Sequence, residues 1–402
     1  MLAAGCVLLT RPVLLQGVVL VITLILLEVL LQVASSSSLR VRRALAPPWD
    51  VAAPLVLDPR MIARGNPLHH EHDSRGYRNE RALDRAEIVT LGDSHTYGAL
   101  PLRESWPRLL SARLKVAVYN MALPAYGPLQ NELQLDEALA LRPRAVILAP
   151  YFGNDLHDTF QMTRRHPGML EGVSADLREA ADARERLKPI YHEIYTLIAA
   201  DEIRPPAART WFSQHLKLYG FLRALKNGLA SPPPPNPLVS RQFSTAAAAL
   251  TPWQRDYASP MDGSEWRTIL SARIRLIALD HRDPRIQLGF EAMRASIVRM
   301  AKKCRAAGVR FLVALMPTKE SVFFPRVTDP DRHPGLRDQV SLENQWRGEL
   351  MEALESHRIE VIDLLGLLRQ APSQPYYEDV DGHPNFVGNQ VIEAAIAVHL
   401  AR

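Results

Sequence analysis

The stretch EIVTLGDSHTYG, residues 87–98, decides the fold of this chain. Its β-rich beginning, residues 87–91, runs directly into Gly92, Asp93 and Ser94. A polar turn after a strand lies at the carboxyl edge of a parallel sheet, which is where open α/β sheets bind ligands. The stretch therefore predicts a strand-to-helix turn that presents a serine at a functional edge.

Four further β-rich runs follow the same plan, at residues 116–121, 145–150, 309–316 and 359–363. Most of these runs are separated by helical patterns, which indicates an α/β fold with a parallel sheet and helices on both faces. The helix before the fourth run ends at Gly308 and has apolar residues at three- and four-residue spacings, namely Phe290, Met293, Ile297, Met300 and Cys304. This pattern predicts a crossover helix.

The region between the third and fourth runs shows no clear strand pattern, so we expect a helical insertion at about residues 157–284. Helices are predicted near residues 176–199 and 209–229, with a rigid proline tract at residues 232–235. The second of these helices carries an apolar stripe beside basic residues. We favour its packing on the parent domain, with an interfacial membrane helix as the alternative.

The segment of residues 13–34 is apolar and long enough to cross a hydrocarbon core of about 30 Å. We interpret it as a transmembrane anchor, with a cleaved signal peptide and a buried core helix as the alternatives. Arg40, Arg42 and Arg43 follow the segment, whereas only Arg11 precedes it. By the positive-inside rule this bias favours a cytoplasmic location for the C-terminal side.

The composition excludes several classes of protein. The chain has 402 residues, of which 47% are hydrophobic and 23% charged, as in a soluble globular protein rather than a disordered chain or a polytopic transporter. Its 48 basic and 43 acidic residues are spread along the chain without a basic stripe, so we expect no nucleic-acid partner. Cys6 lies beside the apolar segment, so a disulfide with Cys304 is not expected.

Three motifs after the first three strands carry groups suited to acyl transfer. Ser94 supplies a hydroxyl nucleophile, and backbone N–H groups beside it can stabilise an oxyanion. The second motif is VYNMALPAYG, residues 118–127, and the third is YFGNDLHD, residues 151–158. An amide side chain such as that of Asn154 can join the backbone donors at this edge. Taken alone, the second and third motifs are also typical of ordinary turns.

The fourth motif, DGHPNFVGN at residues 381–389, lies after the fifth strand and before an apolar C-terminal helix. An imidazole accepts a proton from a serine when a second group fixes its tautomer, and a carboxylate two residues earlier can do so. Asp381 and His383 have this spacing, although a turn and helix cap would look the same. Four loops at one sheet edge then supply a nucleophile, oxyanion donors, a base and an acid.

These four motifs together resemble the SGNH (GDSL-like) hydrolase superfamily, of the membrane-anchored bacterial type, from about Gly76 to the C-terminus. The resemblance implies a flavodoxin-like three-layer α/β/α fold with a five-stranded parallel sheet. It implies the catalytic residues Ser94, His383 and Asp381, with Asp379 as the alternative acid. The implied oxyanion hole consists of Ser94, Ala125 and Asn154. Ala125 stands where that family has glycine, and His95 where an aromatic or apolar residue is expected.

The expected domains are a short N-terminal segment at residues 1–12, the anchor at 13–34, a juxtamembrane lead-in at 35–85, and a hydrolase-like domain at 86–402. Lys319 follows the fourth strand and is a candidate for substrate binding, although a solvated loop lysine is slightly favoured. The run of residues 69–73, HHEHD, lacks the ligand spacing of a zinc site, and serine chemistry requires no metal. We therefore expect no metal and no cofactor.

The leading hypothesis is a membrane-anchored serine esterase or deacylase that acts on an acylated carbohydrate or another envelope ester. One alternative is an O-acyltransferase that uses the same residues, with a sugar hydroxyl in place of water. Another is a noncatalytic polysaccharide-binding or assembly protein. From the family resemblance, and against the charge bias, we expect a single-pass inner-membrane protein with a periplasmic catalytic domain.

Overall fold

The structure, a computed structural model, describes residues 2–190, 215–229, 242–252 and 254–401. The described residues separate into two compact units. The smaller unit contains the described residues of 2–56, 65–76 and 215–229, and the larger unit contains those of 57–64, 77–190, 242–252 and 254–401. The sheet and the four predicted motifs belong to the larger unit.

A five-stranded parallel sheet forms the centre of the larger unit, in the order β4 (Val118–Asn120), β3 (Ile88–Gly92), β5 (Ala145–Ala149), β8 (Arg310–Leu315) and β9 (Glu360–Asp363). Among the five strands of this sheet, the first along the chain, β3, lies between the second, β4, and the third, β5. This is the flavodoxin-like order. The predicted fold class is confirmed. The described strands are β1 (Leu55–Asp58), β2 (Ile62–Gly65), β3 (Ile88–Gly92), β4 (Val118–Asn120), β5 (Ala145–Ala149), β6 (Ser259–Asp262), β7 (Arg267–Leu270), β8 (Arg310–Leu315) and β9 (Glu360–Asp363).

The centre of the sheet is buried on both faces, which explains why its inner strands are nearly continuous apolar runs. Every residue of β3 and β5 is buried. Ile88 and Ile147 share a core cluster with Trp106 and Ile392 from two helices. Since successive strand residues point to opposite faces, the buried residues that alternate with Ile88 and Ile147 face the other helical layer.

The helices of the described residues are α1 (Leu2–Ser37), α2 (Leu39–Leu45), α3 (Pro48–Ala52), α4 (Ser94–Tyr97), α5 (Trp106–Leu114), α6 (Pro128–Ala140), α7 (Asp155–Thr163), α8 (Ala175–Leu187), α9 (Lys217–Leu229), α10 (Phe243–Ala249), α11 (Ala272–Leu279), α12 (Pro284–Ala306), α13 (Lys319–Phe323), α14 (Leu336–Ser356), α15 (Leu364–Arg369) and α16 (Phe386–Leu400). The predicted crossover helix is α12, and Gly308 follows it with a φ of 67°.

The insertion contains a strand pair that the sequence did not reveal. β6 and β7 pair antiparallel, so the expectation of a strandless insertion is wrong. Each strand has only four residues, and Pro260 and Asp262 interrupt the apolar alternation of β6. α8 and α9 confirm parts of the two predicted helices, whereas residues 191–214 and the proline tract at 232–235 lie outside the described residues.

The smaller unit is built around α1, whose segment Val13–Ser37 contains an 18-residue window with a mean hydropathy of 2.7 and is the only described stretch long and apolar enough to cross a membrane. Most apolar side chains of Val13–Ser37 are exposed, so this segment is not a buried core helix. α9 belongs to the same unit and packs against α1 and α2.

Candidate active site

Ser94 is the first residue of α4 and follows β3 through a tight turn. The turn favours Gly92, because a Cβ atom there would lie 2.5 Å from Thr96 Oγ1 and 3.0 Å from the Ala149 carbonyl oxygen of the neighbouring strand. The Asp93 carboxylate caps α4 by accepting the backbone N–H of His95 at 2.8 Å. The half-buried Ser94 hydroxyl donates to the same carboxylate at 3.3 Å. The motif thus presents its serine where the sequence predicted.

His383 and Asp381 form a close side-chain hydrogen-bond contact in the loop before α16. Nδ1 of His383 lies 2.6 Å from Oδ1 of Asp381, and the same oxygen accepts the His383 backbone N–H at 2.9 Å. Nε2 of His383 is buried and has no hydrogen-bond partner among the described residues. A carboxylate on Nδ1 fixes the tautomer whose Nε2 can accept a proton. The pair has the arrangement of a general base and its orienting acid.

Asp379, the alternative acid, has a contact of a different kind. Its carboxylate accepts the backbone N–H of Asp381 at 2.9 Å, and so shapes the loop that carries the acid. Lys319 supports the same loop from the start of α13, where Nζ donates to the carbonyl oxygens of Asp379 at 2.8 Å and Asp381 at 3.0 Å. The acid loop is therefore held by both a carboxylate and an ammonium group.

Lys319 is fully buried, so the interpretation of a solvated loop lysine is wrong. Burial lowers its pKa to about 8, against the opposing charges of Glu320, Asp381 and Asp379. The ammonium group tolerates this burial because backbone carbonyl oxygens replace part of its hydration. Its described contacts position the loop, and a contact with substrate remains a prediction.

His95 connects the serine loop with the histidine loop. Nδ1 lies 3.3 Å from Oδ2 of Asp93, and Nε2 lies 3.1 Å from the Gly382 carbonyl oxygen. The ring stacks on Tyr151 at a centroid distance of 3.6 Å and lies 4.6 Å from the ring of His383. One imidazole thus contacts the loops that follow β3 and β5 and the loop that carries the base.

The predicted oxyanion donors lie on loops that adjoin the serine loop. Leu123 N–H donates to the Gly92 carbonyl oxygen at 3.4 Å, which joins the loop of Ala125 to the end of β3. Asn154 is half-buried, and its amide donates to the Asp158 carboxylate at 2.5 Å. Among the described hydrogen bonds none joins Ser94, Ala125 and Asn154 to one another, so their shared role remains a prediction.

Ala125 has a left-handed backbone conformation with a φ of 60°. Glycine adopts such a φ without strain, whereas an alanine methyl group clashes with its own backbone. The absence of glycine at this position of the motif therefore has a conformational cost in addition to any crowding of the site.

Arg275 and Tyr151 are site residues that sequence analysis did not single out. Arg275 lies on α11, where Nη1 donates to the Gly153 carbonyl oxygen at 3.4 Å and the guanidinium carbon lies 5.6 Å from the centre of the Tyr151 ring. A Cβ atom on Gly382 would lie 2.7 Å from Nη2 of the same arginine. Tyr151 could have been noticed as part of the third motif, whereas Arg275 has no motif and lies far away in sequence.

Several solved structures are similar to this chain at low identity. One is a GDSL-like lipase from Bacteroides thetaiotaomicron, with a TM-score of 0.32, 11% identity, and coverage of 78% of this chain and 88% of that chain. Another is a catalytic mutant of an acetylxylan esterase from Geobacillus stearothermophilus, with a TM-score of 0.35, 10% identity, and coverage of 79% and 95%. No protein-family model and no curated protein matches this chain. At this level of similarity, no residue of this chain is given a role on the basis of those structures.

Proposed function

We propose that this chain is a serine ester hydrolase with Ser94 as nucleophile, His383 as general base and Asp381 as the acid that orients it. The observation that carries the proposal is the 2.6 Å contact between Asp381 and His383 Nδ1, which leaves a buried Nε2 with no partner among the described residues. The His95 ring supports it, because it contacts both the serine loop and the loop of the base.

In the proposed reaction, the Ser94 hydroxyl turns from Asp93 towards His383 and gives its proton to Nε2. Oγ then forms a bond with the carbonyl carbon of the ester, and Asp381 stabilises the imidazolium. The tetrahedral intermediate collapses when the bond to the alcohol oxygen breaks and His383 returns the proton to that oxygen. Water, activated by the same imidazole, hydrolyses the acyl-enzyme and releases the acid.

The oxyanion of each tetrahedral intermediate is assigned to the backbone N–H groups of Ser94 and Ala125 and to the amide of Asn154. Asp158 supports this assignment because its carboxylate accepts one amide hydrogen of Asn154 and so orients the other. Each preorganised donor of this kind lowers the barrier by about 3 kcal/mol.

The proposed substrate class is an ester of a carbohydrate or of another cell-envelope compound. We assign the chain to the inner membrane, with one span and a periplasmic catalytic unit. The apolar helix Val13–Ser37 supports a membrane anchor, because it is long and apolar enough to cross a hydrocarbon core.

Active-site labelling with a fluorophosphonate tests the proposal directly. The wild-type protein and the Ser264→Ala variant, which changes an exposed serine, are expected to be labelled, whereas Ser94→Ala is not. Labelling of Ser94→Ala, or no labelling of the wild type, contradicts the proposed nucleophile and favours the noncatalytic alternative. A rise in acyl turnover when a sugar acceptor is added identifies an O-acyltransferase instead of an esterase.

A further inference from the structure

Two polar side chains that interrupt the apolar helix α1 bind the beginning of α9. The Glu28 carboxylate accepts the backbone N–H groups of Lys217 at 2.9 Å and Leu218 at 2.6 Å. Gln32 Nε2 donates to Glu28 at 2.6 Å and to the His215 carbonyl oxygen at 3.2 Å. The first N–H groups of a helix have no partner within the helix, so Glu28 acts as the cap of α9.

These contacts lie close to one end of the proposed membrane span. A hydrocarbon core of about 30 Å that begins at Val13 accommodates about 20 helical residues and therefore ends near Gln32. Glu28 is thus within the last two turns of that core. A carboxylate at this depth needs hydrogen-bond donors, and the start of α9 supplies them. The start of α9 is therefore held at the boundary between hydrocarbon and headgroups.

α9 is also fixed to the short helix α2 of the same unit. Arg223 Nη2 donates to the carbonyl oxygens of Leu45, at 3.0 Å, and Ala46. A Cβ atom on Gly220 would lie 2.2 Å from the Leu45 carbonyl oxygen, so the two backbones are in close contact and only glycine fits. One face of α9 is therefore occupied by α1 and α2.

Leu222 and Leu225 of α9 remain exposed although the helix is docked. Leu222 is 57% exposed and Leu225 is 49% exposed, and with Leu218 they follow the four- and three-residue spacing of one helix face. Arg223 and Lys226 flank them with positive charge. Exposed leucines beside basic residues are typical of a helix that lies in a membrane interface.

We propose that α9 is an interfacial membrane helix, docked on the anchor through Glu28 and Gln32, with Leu222 and Leu225 in contact with the acyl chains of the bilayer. The occupant of this face is lipid rather than a second protein, because Glu28 fixes the helix at the depth where α1 leaves the hydrocarbon core. The inference requires the proposed anchor but is independent of the esterase chemistry.

Spin labels on the full-length protein in vesicles of phosphatidylethanolamine and phosphatidylglycerol test this contact. Single cysteines replace Leu222 or Leu225 in a Cys6→Ser background, where the remaining Cys304 is buried. The matched controls are labels at Lys226, on the same helix, and at Leu57, which is 92% exposed. The measured quantity is the ratio of the label's collisions with oxygen to its collisions with a water-soluble nickel complex. We expect this ratio to be several-fold higher at the two leucine sites than at the two control sites.

Three results would overturn the proposal. One is equal nickel accessibility at Leu222, Leu225 and Lys226, which would place the leucines in water. Another is protection of the leucine sites from both reagents, which would indicate a protein partner. The third is a mature chain that begins after Ala34, as mass spectrometry would show, because it would lack Glu28. Fluorophosphonate labelling of the same samples separates these failures from a failure of the proposed chemistry.

A pair of variants on α1 tests the docking itself. Glu28→Leu removes the cap of α9, so the label at Leu222 is expected to change its collision ratio. Val29→Leu changes a neighbouring, exposed residue of the span and is expected to leave the ratio unchanged. An unchanged ratio in Glu28→Leu would show that Glu28 does not dock α9 and would overturn this part of the proposal.

Discussion

Asp381 and Asp379 lie two residues apart in one loop, yet their carboxylates have different contacts. Asp381 contacts the His383 ring, whereas Asp379 accepts the N–H of Asp381. We expect Asp381→Asn to lower kcat by about 10³- to 10⁴-fold, because an amide in place of the carboxylate favours the wrong imidazole tautomer. Asp379→Asn, the matched control, is expected to lower kcat far less. Steady-state hydrolysis of a p-nitrophenyl ester measures both, and equal losses would contradict the assignment of the acid.

The buried Lys319 is expected to make the free energy of unfolding depend on pH. Burial lowers its pKa from 10.5 to about 8, so between these pH values the unfolded chain binds the proton that the folded chain has lost. The free energy of unfolding therefore rises with pH in this window, by about 3 kcal/mol for a shift of this size. Below pH 8 both states hold the proton, and the cost of the buried charge is fully present.

The Lys319→Met variant isolates this effect, since it keeps the length of the side chain and removes the titrating group. Thermal or denaturant unfolding in detergent at several pH values is expected to show the wild type gaining stability relative to Lys319→Met between pH 8 and 10.5. Lys302→Met, at an exposed position, is the control and should follow the wild type. A stability difference that is independent of pH would show that Lys319 does not titrate in this range.

Ala125 carries a strain that glycine would remove. A left-handed φ costs a residue with a Cβ atom about 1–2 kcal/mol, whereas glycine loses about 0.5–1 kcal/mol through the entropy of the unfolded chain. We therefore expect Ala125→Gly to stabilise the protein by roughly 0.5 kcal/mol. Ala140→Gly, at the exposed end of α6, is the control and is expected to destabilise. Unfolding in denaturant measures the stability of both variants. Destabilisation by Ala125→Gly would contradict the proposed backbone strain at Ala125.

At the scale of elements, the strands of the central sheet were predictable and the strand pair of the insertion was not. The inner strands β3 and β5 were readily identified because burial on both faces makes them almost entirely apolar. β6 was not predicted, because its sequence SPMD has one buried residue among four and contains a proline. Such a strand exists because of its pairing with β7, and pairing between short segments leaves little trace in a sequence.

The sequence predicted the motifs of the candidate site, but it did not predict the residues that hold those motifs in place. Ser94, Asp381 and His383 follow strand ends at short spacings, so local sequence suggests their chemistry. Lys319 was noticed, but its burial depends on how a distant loop packs over it. Arg275 reaches the site from a helix whose sequence is ordinary, so a single sequence holds no signal of its position.

His95 joins the elements of the site, and a variant can separate its stacking from its polar contacts. His95→Phe keeps an aromatic ring against Tyr151 but removes the contacts with Asp93 and Gly382. Because the base loop then loses a link to the serine loop, we expect kcat to fall about 10- to 100-fold with little change in KM, as for misplaced catalytic groups.

Tyr151→Phe is the matched control for His95→Phe. It also preserves the stacked ring, and the Tyr151 hydroxyl is buried without a hydrogen-bond partner among the described residues. Removing an unpaired buried hydroxyl is expected to leave kcat unchanged and to leave stability equal or slightly higher. If both variants lose activity equally, the aromatic packing rather than the polar link of His95 supports the site.

At the scale of the whole molecule, the orientation in the membrane depends on how the arginines after the span are counted. The positive-inside rule treats them as topology signals, yet two of them have structural partners within the smaller unit. Arg42 Nε donates to the Ser35 carbonyl oxygen at 3.1 Å, and Arg43 Nε donates to the Pro67 carbonyl oxygen at 3.1 Å. The two arginines therefore have roles in the fold in addition to their positive charges, and those charges still favour a cytoplasmic location.

Protease added to intact spheroplasts decides between the two orientations. With a periplasmic catalytic unit, the protease is expected to degrade the unit before lysis, while a cytosolic marker protein stays intact. In that case the protein would adopt this orientation although Arg40, Arg42 and Arg43 follow the span and only Arg11 precedes it. A catalytic unit that survives until the spheroplasts are lysed, and is degraded afterwards, would place it in the cytoplasm. The charge bias would then outweigh the structural roles of Arg42 and Arg43.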